Sequence, residues 1–178
     1  MLDDTAPAAA PDASVPYTCP TSYSANLPGP SHYRLIVEGH PAWIQSDTCA
    51  GDLPGKTHLV VLETQDEISE VAALVSAPPM GIAGNAIWVG GVQQRTAVLP
   101  GTNWLRFDGE PLTLGWGGAE PNDKGNGELD HEEQFVRLEK GKAYLQDSAG
   151  NGNYGALCEC DGKPLAMAAT MAIDSNHQ

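Results

Sequence analysis

The most regular hydrophobic pattern lies after residue 64, where Ile68, Val71, Ala72 and Val75 recur at the spacing of one helix face. Thr64 with Glu67 three residues on forms a capping box that predicts where this helix starts, and Pro78-Pro79 predicts where it stops. Earlier, residues 32–37 (HYRLIV) and 57–63 (THLVVLE) are rich in branched and aromatic side chains and predict two strands. Between them Pro41 suits the first turn of a helix carrying Trp43, Ile44 and Cys49. Residues 87–91 (IWVGG) predict a short buried strand. Regular periodicity then fails over residues 92–132, although that run holds Trp104, Phe107-Asp108-Gly109 and Trp116. A long irregular stretch inside a domain is uncommon and usually functional. Residues 133–138 (EQFVRL) and 143–146 predict a hairpin about Lys140-Gly141-Lys142, and residues 154–160 (YGALCEC) a closing strand. No internal repeat is visible.

This order predicts a single α+β domain over residues 16–162, flanked by a disordered linker at 1–15 and a flexible Ala-rich tail at 163–178. The length of 178 residues suffices for a real core, and 20 Gly with 14 Pro point to a loop-rich fold. The Ala/Pro/Asp-rich start reads as the linker left after a secretory signal is removed, the signal itself being absent, and suggests a GC-rich bacterial source. Four Cys without a CxxC metal spacing read as two disulfides in an oxidising, extracellular compartment. A net charge of -14 argues against nucleic acid or an anionic membrane as partner and is compatible with cations. No apolar run approaches a membrane span.

Within the irregular run, Glu120-Pro121-Asn122 places a carboxylate and a carboxamide on either side of a proline. A cis bond before Pro121 would let a tight turn aim both side chains the same way. Two hard oxygen donors side by side suit calcium, and the same pair offers an acceptor and a donor to a ligand. An ordinary surface turn has the same composition. The five His show no HxxxH or HExxH spacing, so zinc is not expected. Glu120 with Glu133 would be the acid and base of a glycosidase, but no nucleophile or motif accompanies them, so no enzyme is expected. Trp88, Trp104 and Trp116 are expected in the core, and Asp108 as a turn cap with Gly109.

The order of these parts, ending in Trp104, Asp108-Gly109, Trp116, Glu120-Pro121-Asn122 and Leu157-Cys158-Glu159, resembles the C-type lectin-like domain over roughly residues 17–160. The resemblance implies a double-loop fold: two helices, small antiparallel sheets and a long loop bearing a calcium site. It implies a bridge from Cys49 to Cys158, leaving Cys19 to pair with Cys160, a closure of about 4–5 kcal/mol for a loop of this length. The family's second common bridge is missing, with Phe135 and Gly150 near where its cysteines would be. One calcium is implied at Glu120, Asn122, a second glutamate, Gln146 and Asp147. Glu128 has the usual distance from Glu120, whereas Glu133 opens the strand before Gln146-Asp147; Glu133 is favoured, with Glu128 as the alternative. Gln146 stands where Asn is usual and Leu145 where Trp is usual. In the family a sugar completes the calcium with two vicinal hydroxyls, and Glu120 before Asn122 resembles the mannose-type arrangement (mannose, fucose, GlcNAc, glucose). Glu120, Asn122, Glu133 and Gln146 would then also contact the glycan. Residues 93–102 hold no acid, so a second calcium is not expected. A lectin-like domain that binds protein or serves as a scaffold is the alternative.

Overall fold

The computed structural model describes residues 16–25, 27–77, 81–123 and 132–176. The elements run β1 (His32–His40), α1 (Ala42–Asp52), β2 (Thr57–Leu59), α2 (Gln65–Ser76), a 3-10 turn (Ala83–Asn85), β3 (Ala86–Gln93), β4 (Trp104–Arg106), β5 (Phe135–Glu139), β6 (Leu145–Ser148), β7 (Tyr154–Cys160) and α3 (Met167–Asn176). The predicted linker at 1–15 and the alternative ligand Glu128 lie outside the described residues, as do Pro78 and Pro79.

The capping box forms as expected. Glu67 N donates to Thr64 Oγ1 at 3.2 Å, and the Glu67 carboxylate accepts from Thr64 N at 2.9 Å, satisfying donors that a helix start otherwise leaves open. The first helix differs slightly, since Pro41 is its N-cap rather than part of the first turn. The second strand is shorter than its apolar run, for a physical reason. After Leu59 the chain leaves the regular ladder: Val60 N still donates to Leu157 O at 2.8 Å, but Val61 N takes the Glu159 carboxylate at 3.0 Å instead of a backbone carbonyl.

The strands form one sheet in the order β1-β7-β3-β5-β6, with β2 also on β7 and β4 on β3. β1 and β7 are antiparallel, His32 opposite Cys160, which brings the two ends of the domain together. β3 and β7 are parallel, Ile87 opposite Gly155. Disulfides join Cys49 to Cys158 and Cys19 to Cys160. Alternation along β7 sorts the core into two layers. Ala156, Cys158 and Cys160 face a cluster with Trp88, Phe107, Phe135 and residues of α1 and α3. Leu157 faces the other cluster, which α2 closes with Ile68, Val71 and Val75.

Within the stretch expected as a tail, Met167–Asn176 form helix α3. Helix α3 buries Ala169, Ala172 and Ile173 against the first cluster, and its start is tied by Ala166 N to Phe107 O at 2.9 Å. Its packing face consists largely of alanines, so the pattern is faint in sequence. Packing also occupies the place of the missing bridge. Phe135 lies 6.3 Å from Trp43 and 6.4 Å from Trp88, ring to ring, and its edge sits on Gly150, where an added Cβ would lie 2.5 Å from the ring.

Candidate functional site

Four short segments converge at the end of the irregular run. Trp116 rests on the buried Trp104, ring centroids 4.9 Å apart, and forms a parallel bridge with Leu145. Leu145 N donates to Gly115 O at 2.6 Å and Gly117 N to Leu145 O at 3.2 Å, clamping this run against β6. Trp88 and Trp104 are buried as expected, and Trp116 is half-buried against the core. Leu145, in the usual tryptophan position, is 1% exposed and fills the same cluster.

Glu120 N then turns back to Gly117 O at 2.9 Å, and the Glu120–Pro121 bond is cis. The Asn122 carboxamide donates to Glu120 Oε2, so the two side chains meet across the proline. Asp147 Oδ2 accepts from both Asn122 N at 2.9 Å and Asp123 N at 2.7 Å, fixing the turn to β6. Gln146, on the same strand as Asp147, is near enough to Glu120 to lower its pKa, and the charge of Glu133 acts on Glu120 in the opposite direction. The five predicted side chains Glu120, Asn122, Glu133, Gln146 and Asp147 are therefore neighbours.

Asp123, which carries no motif of its own in the sequence, proves central to the frame. It is 1% exposed, takes a left-handed φ of 45°, and its Oδ1 accepts Glu132 N at 3.1 Å and Glu133 N at 3.0 Å. One carboxylate thus ties the turn to the approach of β5 and orients Glu133. Aspartate tolerates this backbone region better than most residues, and its position right after Asn122 was the only available hint.

The electrostatics are those of an acidic cluster. Burial, then the hydrogen bond and charge of Asp147, then the charge of Glu133, push Glu120 up to about 7. Two buried oxygens, Gln146 Oε1 and Asp147 Oδ1, have no hydrogen-bond partner. Acceptors buried in this way are costly unless something donates to them or coordinates them. A hard cation fits that donor set, which is all oxygen and mostly anionic. Among the described residues no three or more His, Cys, Asp or Glu side chains are drawn up as a ready-made metal site. As it stands, Glu120 accepts from the Asn122 carboxamide instead.

Solved structures share this arrangement of elements. The C-type lectin CEL-I from Cucumaria echinata matches with a TM-score of 0.64 at 15% identity, over 83% of this chain and 100% of that one. The cow C-type carbohydrate-recognition domain of CD23, solved in the presence of a GlcNAc2Man3 oligosaccharide, gives 0.57 at 22% identity over 84% and 98%. A calcium-independent type II antifreeze protein gives 0.58 at 16% identity over 81% and 95%. The fold is that of the C-type lectin-like domain. No family model matches the sequence, and no curated protein matches it.

Proposed function

We propose that this protein is a secreted, calcium-dependent carbohydrate-binding domain of mannose-type preference, taking mannose, fucose, GlcNAc or glucose residues of glycans. The observation that carries this reading is the pair of partnerless buried oxygens on Gln146 and Asp147 beside the Glu120–Asn122 turn. Glu120, Asn122, Glu133, Gln146 and Asp147 would hold the ion, which would supply a Lewis-acidic centre for two sugar hydroxyls. Calcium takes six to eight oxygens, so this set leaves coordination free for a ligand. At each hydroxyl a carboxylate such as Glu120 or Glu133 accepts the proton, while the carboxamides of Asn122 and Gln146 donate to the oxygen. Glu128 is retained as the alternative to Glu133. The CD23 domain solved with its GlcNAc2Man3 oligosaccharide and the lectin CEL-I, both of this fold, support the same ligand class. A single shallow site of this kind binds a monosaccharide weakly, so strong attachment relies on multivalency.

A second reading, a protein-binding or scaffold domain, is favoured by Leu145 and Gln146 at positions where the family carries Trp and Asn. The calcium-independent antifreeze protein has the same fold. A calcium titration followed by thermal melting separates the two. Calcium at about 100 times its dissociation constant should stabilise the protein by about 2.7 kcal/mol. Glu120→Ala should weaken calcium by roughly tenfold or more. The calcium form should then be retained on mannose resin and released by a chelator. No melting shift at millimolar calcium would give the lead to the protein-binding reading.

A further inference from the structure

We infer that Arg137 is a positioning residue for the proposed calcium site, fixing which end of the Gln146 carboxamide the site receives; the inference rests on the calcium-dependent reading above. Arg137 on β5 stands directly opposite Gln146 on β6. Directly opposed residues of an antiparallel pair send their side chains to the same face, about 5 Å apart at Cβ. Arg137 is also opposite Trp88 on β3, so Trp88, Arg137 and Gln146 form one row across three strands. The guanidinium is held from the core side of that row. Its Nη1 donates to the Tyr154 hydroxyl at 2.6 Å, and its Cζ lies 5.2 Å from the centre of the Tyr154 ring. That ring in turn packs edge-on against Trp88, centroids 4.9 Å apart.

The two outer members of the row each keep one buried atom without a hydrogen-bond partner, Nε of Arg137 and Oε1 of Gln146. These are complements, an N–H donor and a carbonyl acceptor on neighbouring side chains. A guanidinium has donors only. It therefore disfavours the amide end of Gln146, which would set donor against donor, and favours the carbonyl end. That choice matters because Gln146 has one more rotatable bond than the asparagine usual at this position. A carboxamide turned the wrong way would offer an –NH2 group where a hard cation takes oxygen. With Oε1 drawn to the Arg137 side, the oxygen keeps a second lone pair for the ion, and Nε2 is left as the donor to a ligand hydroxyl.

The test is calcium calorimetry on the wild type, Arg137→Lys, Gln146→Ala and the double variant, with 15N NMR of the calcium-free wild type and Arg137→Lys. Lysine keeps the charge and loses the fixed planar fork, so it separates orientation from electrostatics. Arg137→Lys should weaken calcium by about tenfold, the loss expected when a partner that orients a metal ligand is removed. In the Gln146→Ala background the same change should alter calcium affinity by about twofold or less, because the two residues act as a unit. Tyr154→Phe removes only the acceptor of Nη1 and should weaken calcium by about threefold. In the calcium-free protein the two Gln146 Nε2 proton signals should move towards those of a free carboxamide in Arg137→Lys, a change that a general loss of stability would not confine to this group. The inference is overturned if Arg137→Lys and Tyr154→Phe bind calcium like the wild type, if the effect of Arg137→Lys is as large without Gln146, or if the Gln146 signals stay in place. Wild-type protein that binds no calcium would overturn the functional reading itself, and this inference with it.

Discussion

Asp123 is held in place through the main chain: Asp123 N donates to Asp147, and its own carboxylate accepts Glu132 N and Glu133 N. Removing that carboxylate strands two main-chain donors. Asp123→Ala should therefore cost about 2–3 kcal/mol in denaturant unfolding. A second prediction concerns His58, 2% exposed and far in sequence from the site. Its Nδ1 donates to Leu59 O at 2.8 Å while Nε2 faces Asp161 Oδ1 at 3.1 Å, so both nitrogens meet acceptors. Burial opposes charging the ring, but the Asp161 hydrogen bond, the Leu59 carbonyl and the charges of Asp161 and Glu159 outweigh it and raise its pKa. Asp161 is the mirror case: burial disfavours its charge, yet His58 and the Lys163 main chain bring it down to about 2. A raised histidine contributes stability fully below about 6.5 that is lost as pH rises through its folded value, whereas the Asp161 share is lost as pH falls from about 4 towards 2. Glu120, also raised, acts in the same direction as His58 between its ordinary value and about 7, so wild type and variant must be compared at each pH. Asp161→Asn should cost about 2 kcal/mol at pH 6 and less at pH 9. An equal cost at both would show that His58 carries no charge in the fold.

Among the elements, α2 was legible because its capping box and its apolar face say the same thing, and the structure repeats both. β2 was legible only in part, because an apolar run does not reveal that the Glu159 side chain will replace a ladder carbonyl at Val61. Glu120 and Asn122 stood out through a three-residue motif. Asp123 did not, since it acts on main-chain groups nine and ten residues further on, a relation that no local pattern carries. The cysteine pairing followed from the resemblance. What replaces the absent second bridge did not, although Phe135 and Gly150 mark its place in the sequence. In the structure the Phe135 ring edge lies on Gly150, with Trp43 also within 3.0 Å of where a Cβ would be. Gly150→Ala must push the aromatic cluster aside and should destabilise by about 1–3 kcal/mol. A neutral result in thermal melting would mean that the loop between β6 and β7 yields, and that Phe135 does not stand in for the bridge.

On the scale of the whole molecule, the N-terminal and C-terminal segments are fastened to different parts of one sheet. The Cys19–Cys160 bridge ties the start to β7, while α3 ties the end to β3 and to the root of the irregular run. Asn176 Nδ2 donates to Gln93 O at 2.8 Å. Gln93, wholly buried, gives its Nε2 to the carbonyls of Leu99, Pro100 and Thr102, and its N to Gln134 O at 2.9 Å, one residue from Glu133. The terminal helix therefore supports the strand from which both the 94–103 segment and the entry to β5 are hung. Ile173, 6% exposed, is its largest buried side chain, and Ile173→Ala should cost about 2–4 kcal/mol. Ending the chain at Gly162 removes that side chain, the buried alanines and both terminal hydrogen bonds together. Its loss of stability should exceed that of Ile173→Ala, and it should loosen the proposed calcium binding through Gln134 and Glu133. A shortened chain that melts with the wild type would return these residues to the status of a tail.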